Sequence, residues 1–99
     1  MSAIEDLQDW YLSQCNDDWE HVYGMDIETL DNPGWSFRVD LTDTNLEGVR
    51  FEEYSYGDAE ESEDWVNCKV KDRKFVGTGG PKKLEEIINV FVSWAKSNT

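Results

Sequence analysis

Trp35-Ser36-Phe37-Arg38-Val39-Asp40-Leu41 places an apolar residue at every second position, with Ser36, Arg38 and Asp40 between them. Successive side chains of a strand point to opposite faces, so this stretch reads as a half-buried β-strand with one wet face. Just upstream, Asp31-Asn32-Pro33-Gly34 reads as a turn. Pro sets φ near about −65° there, and Gly tolerates positive φ. Before the turn, Tyr23, Met25 and Ile27 alternate with Gly24, Asp26 and Glu28, which makes a second strand with an acidic outer face. The two strands form a hairpin, and a hairpin with one apolar face needs a layer to cover it.

Outward from the hairpin, a third strand is expected within Leu46–Tyr56, and Gly57–Asp64 is a polar, acidic loop. Val66, Cys68 and Val70 then alternate with Trp65, Asn67, Lys69 and Lys71 as a fourth strand, and Phe75-Val76 offers a short fifth. Gly77-Thr78-Gly79-Gly80 reads as a flexible joint, with Pro81 at the first position of a closing helix. In that helix Leu84, Ile87, Ile88, Phe91, Trp94 and Ala95 form one apolar stripe. At the other end, Ser2 and Glu5 make a capping-box pattern. Ile4, Leu7, Tyr11 and Cys15 follow at helical spacing, Trp10 widens the stripe, and Asn16-Asp17-Asp18 stops it. The expected fold is α+β: an antiparallel sheet of four to five strands with an N-terminal and a C-terminal helix on one face. The other face would carry Asp26, Glu28, Arg38, Asp40 and Lys69.

Ninety-nine residues without an internal repeat or a Pro/Gly/Ser-rich linker are expected to form a single domain over 1–99. The net charge of −13 exceeds the magnitude of about 2–8 that solubility asks of a small domain. It argues against nucleic acid as partner, because phosphate binding needs clustered Lys and Arg. Residues 1–68 hold nineteen Asp or Glu against Arg38 and Arg50, a net of −17, whereas residues 69–99 carry +4. Neutralisation of acidic strands by a basic neighbour is the plainer account of that polarity, and a directed interface is the other. No basic leader precedes the first apolar residues, and no apolar run approaches the roughly 18 residues that span a bilayer. The expected location is the cytoplasm, with no membrane partner.

Catalytic and metal constellations are thin. His21 is the only His, and Cys15 and Cys68 lie too far apart in sequence for a zinc ligand pair. Both cysteines are expected as buried free thiols. The acidic loop lacks calcium-loop spacing, and Gly77–Gly80 matches neither phosphate-loop nor dinucleotide pattern. Cys68 with Arg73 five residues on superficially resembles the active loop of rhodanese-type sulfurtransferases, but alternation turns Cys68 toward the core. No catalytic residue, metal or cofactor is expected.

Trp10-Tyr11, Asp18-Trp19-Glu20-His21, Glu28-Thr29-Leu30-Asp31-Asn32-Pro33-Gly34-Trp35, Asp64-Trp65 and Gly79-Gly80-Pro81 together resemble the immunity protein 53 family of bacterial polymorphic toxin systems. The resemblance covers nearly the whole chain. It implies a protein that binds and neutralises a cognate toxin in the cytoplasm, and it carries over no catalytic residue. Trp19, Glu20, Pro33, Gly34 and Trp35 are its signature positions, for which a folding role and an exposed aromatic anchor are both open. An acidic surface would suit a basic toxin such as a nuclease, its carboxylates standing where phosphates otherwise bind. The expected toxin-binding residues are Tyr54, Tyr56, Asp58, Glu60, Glu61, Glu63 and Asp64 with Trp65 beside them. A solubilising loop on a generic acidic binding module is the rival reading. The oligomeric state is not legible in the sequence.

Overall fold

The computed structural model describes residues 2–31 and 33–98, so Asn32 of the expected turn lies outside the described residues. The elements run α1 (Ala3–Gln14), α2 (Trp19–Val22), β1 (Met25–Leu30), β2 (Gly34–Asp40), β3 (Tyr54–Tyr56), β4 (Val66–Lys71), β5 (Lys74–Gly79) and α3 (Leu84–Lys96). The strands form one antiparallel sheet in the order β1-β2-β5-β4-β3. The alternation that defined β2 sets the layer: Phe37 and Val39 are fully buried, while Arg38 is exposed. Register brings Phe37 beside Gly77 and Val39 beside Phe75, with Cys68 and Val70 next along.

α3 closes this face with Ile87, Ile88, Phe91, Val92, Trp94 and Ala95 buried. Phe91 stands edge-on to Phe37 at 5.8 Å and to Phe75 at 5.1 Å. α1 joins through Trp10, whose ring meets Phe91 at 4.9 Å and Trp19 at 5.9 Å. Each such side chain taken fully out of water contributes about 1.5–3 kcal/mol before entropy is charged. Ser2 caps α1 by accepting from the Glu5 amide at 3.1 Å.

Several local expectations shift. The stripe of α1 is rotated: Ala3, Leu7 and Trp10 are buried, Ile4 and Tyr11 are exposed, and Cys15 is a half-buried C-cap. His21 sits exposed on α2, a one-turn helix that the expected first strand had overlooked. The third strand shrinks to Tyr54–Tyr56. From Thr42 to Gly48 the chain turns, because the Thr44 hydroxyl and amide both bond to the Leu41 carbonyl and Gly48 takes a φ of 76°. Such local side-chain bonds compete with a ladder.

The largest correction concerns the glycines. Gly77 and Gly79 are not a flexible joint but belong to β5, the central strand, and both are buried. A methyl on Gly77 would run into Ile87 Cγ2, so glycine there lets α3 lie close on the sheet. Gly34 likewise serves close approach and not positive φ, since a methyl on it would strike the Gly79 carbonyl oxygen. Pro81 lies in a turn ahead of α3, whose N-cap is Lys83.

Candidate interaction surface

β3, the loop that follows it and the start of α3 converge at one end of the sheet. Alternation puts Tyr54 and Tyr56 on the helix side of edge strand β3, opposite Cys68 and Val66. Their hydroxyls donate to the two carboxylate oxygens of Glu86 on α3, at 2.9 and 2.8 Å. Both rings stay partly exposed, 6.1 Å apart and nearly perpendicular. The bond to Glu86, followed by desolvation, raises the Tyr54 phenol above its ordinary range. For Tyr56 the bond to Lys83 pulls the other way, and desolvation and Glu86 outweigh it, so this phenol is raised too.

Lys83 completes the cluster. Its ammonium pairs with Asp64, lies 3.9 Å from Glu86 and stands 5.5 Å from the Tyr56 ring centroid. The bond to Asp64, then that to Tyr56, pushes the Lys83 pKa up. One cation thus fastens the far end of the acidic loop to α3. The loop backbone is fastened as well: the Gly80 amide donates to the Trp65 carbonyl at 3.1 Å, and a methyl on Gly80 would collide with the Glu63 carbonyl.

Within the loop, Asp58 builds a turn, its carboxylate accepting from the Glu60 amide at 2.9 Å and its carbonyl from those of Glu61 and Ser62. Glu60, Glu61 and Glu63 project into solvent. The expected residues therefore divide. Tyr54, Tyr56 and Asp64 meet around Lys83 and Glu86, while Glu60, Glu61 and Glu63 form an exposed acidic rim. Asp58 shapes the turn between them. Trp65 is half-buried, and alternation sets it on the opposite side of the sheet from Tyr56. Next to the tyrosines, a shallow groove of about 680 Å³ between residues 51–54 and α3 adds Glu52 and Glu85. Lys83 and Glu86 were not legible as part of this surface, because only the packing of α3 brings them to β3.

The signature positions are built into the fold. Trp19 is 1% exposed, so it is core. Glu20 accepts from the amides of Asn16 and Asp17 at 2.9 and 2.8 Å, bracing the link from α1 to α2. Hydrogen bonds with its own backbone and with those amides hold its carboxyl below the usual range. Trp35 is half-buried and donates from Nε1 to the Pro81 carbonyl at 3.0 Å, tying β2 to the turn before α3. Pro33 is exposed in the hairpin turn and Gly34 is buried at its exit.

Cys68 is fully buried, and burial, then Glu86, pushes its thiol up to about 12. A sulfur nucleophile needs the reverse, an exposed thiol with a lowered pKa. No helix among the described residues is long and apolar enough to cross a membrane.

No curated protein and no solved structure matches the chain. The immunity protein 53 family model matches residues 4–96, nearly the full length, and the chain belongs to that family.

Proposed function

We propose that this one-domain protein binds a cognate toxin of a polymorphic toxin system in the cytoplasm and neutralises it, the toxin being a basic protein such as a nuclease. Membership of an immunity-protein family implies a protein toxin as the general kind of partner. The observation that carries the reading to a surface is the exposed carboxylate rim of Glu60, Glu61 and Glu63, held by the Lys83 clamp beside Tyr54 and Tyr56. A rim fixed at both ends presents its charges with little ordering cost. The two tyrosines, pinned by Glu86, supply contact area of the kind that dominates binding energy. Carboxylates aimed at a basic cleft accelerate encounter, with rates of up to about 10⁸–10⁹ M⁻¹s⁻¹ at low salt.

The test is the toxin encoded beside this chain, bound to the native protein and to a Glu60→Lys, Glu61→Lys, Glu63→Lys variant. Asp64 is left intact because it anchors the loop. At low salt the triple variant should associate roughly tenfold or more slowly, with a flatter dependence on ionic strength, and should protect cells poorly on co-expression. Unchanged association kinetics would remove the rim from the interface. A chain that fails to protect against any neighbouring toxin would overturn the function itself.

A further inference from the structure

The other edge of the sheet is built differently. β1 is six residues long and, among the described residues, pairs on one side only, with β2. The Asp40 amide donates to the Gly24 carbonyl at 2.9 Å, and the register runs Met25↔Val39 through Leu30↔Gly34. Bonded and non-bonded pairs alternate in an antiparallel ladder. Gly24, Asp26, Glu28 and Leu30 therefore spend their backbone groups on β2, and Met25, Ile27 and Thr29 direct theirs outward along the free edge.

The side chains of those three residues share the helix side with Phe37 and Val39, and the helices cover only the first: Met25 is half-buried against the core, whereas Ile27 is 43% exposed and Thr29 is exposed. Between α1 and the start of β1 runs a groove of about 390 Å³ lined by Leu7, Gln8, Tyr11, Tyr23, Gly24 and Met25. Ile4 lies on the same strip of α1, one turn before Gln8, and is 50% exposed. On the opposite side of β1, Asp26 and Glu28 share the single guanidinium of Arg38, at 3.1 and 3.3 Å, which leaves this rim net negative.

A strand laid along this edge would turn every second side chain to the helix side, over exposed Ile27 and toward the groove at the start of β1, and the others beside Asp26 and Glu28. We propose that the free edge of β1 and the adjoining α1 groove dock an extended segment of a protein partner in which apolar residues alternate with Lys or Arg, added as a sixth strand. Charge selects this occupant over a second copy of the chain. Pairing β1 with another β1 would face Asp26 and Glu28 with their own likes, between two molecules each carrying −13. Adding a strand to a sheet edge takes affinity from main-chain bonds and specificity from alternate side chains. The inference rests on the partner-binding reading but not on the acidic rim, which lies across β4 and β3 at the far edge.

The probe is a blocked Val-Lys-Val-Lys-Val-Lys-Val peptide, compared with its Glu-for-Lys analogue and with a version N-methylated at alternate residues. Amide hydrogen exchange and chemical shifts of the full chain report where it binds. The expected result is saturable binding of the Lys peptide, with new protection of the Met25, Ile27 and Thr29 amides. Ile27→Pro removes an outward donor without breaking the β2 ladder and should weaken binding roughly tenfold or more. Ile27→Lys, which keeps the backbone unchanged, should weaken it as well. The Glu60, Glu61 and Glu63 reversal should leave it intact, which separates this site from the rim. Equal binding of the N-methylated or Glu peptide, perturbation confined to 57–64, no binding, or a dimer that buries β1 in sedimentation would each overturn the proposal.

Discussion

Cys68 is fully buried on the helix side of β4. Alternation correctly turned it inward, and the structure adds that Gly77 lies beside it and that burial drives its thiol up to about 12. A thiol whose proton is held more tightly in the folded chain has its stabilising effect in full below the unfolded pKa, near about 8.5. Stability is then lost as pH rises from there toward 12, because the unfolded chain sheds a proton that the native one keeps. Urea melts between about pH 8 and 11 should therefore show falling stability, and Cys68→Ala should flatten part of that slope. A thiol reagent at about pH 8 should label half-buried Cys15 in the native protein and Cys68 only after unfolding. Rapid native labelling of Cys68 would contradict its burial. Trp19 and Trp35 carry a similar lesson: aromatic signatures can mark either cores or contacts, and here one is core and the other a tie between β2 and the turn before α3.

At the level of elements, β5 was the hardest to read. Its sequence, Lys74-Phe75-Val76-Gly77-Thr78-Gly79, has glycine at two of its last three positions, yet it is the central strand. Its glycines follow from what lies above them. With Ile87 pressed onto Gly77, no side chain fits, and the strand is held by ladders on both sides in place of local preference. Gly77→Ala should thus destabilise by about 1–3 kcal/mol through overpacking, measured by chemical denaturation. A neutral result would mean that α3 lies higher on the sheet. β2, β4 and the apolar stripe of α3 were legible because strong periodicity coincided with burial. The span from Leu46 to Glu53 was not, since turn bonds among Leu41, Thr44 and Leu46 outcompeted pairing, even though Leu46 itself is fully buried.

Across the whole molecule, like-charge repulsion dominates the long-range electrostatics. A net of −13 on 99 residues repels itself in the compact state, and the ion pairs among the described residues offset it only locally. Most involve at least one well-exposed partner, where such pairs contribute little. Raising salt from about 10 to 150 mM shortens the screening length from roughly 30 to 8 Å. The thermal midpoint should consequently rise across that range. A fall would show that specific pairs such as Lys83–Asp64 outweigh the general repulsion. The same acidity is distributed unevenly, with one collection at the β3–β4 loop and another along β1, at opposite edges of the sheet.

The sequence by itself determined the α+β class, the two covering helices, the hairpin of β1 and β2, and the acid-rich composition, because periodicity and charge are properties of neighbours along the chain. Only the tertiary structure decided that a glycine-rich segment is the middle of the sheet, that Lys83 and Glu86 clamp the acidic loop and its tyrosines, and that β1 keeps a free edge beside an open groove. Those outcomes depend on what α1 and α3 cover and what they leave bare. Helix-to-sheet packing distance and rotation are set by contacts between residues far apart in sequence.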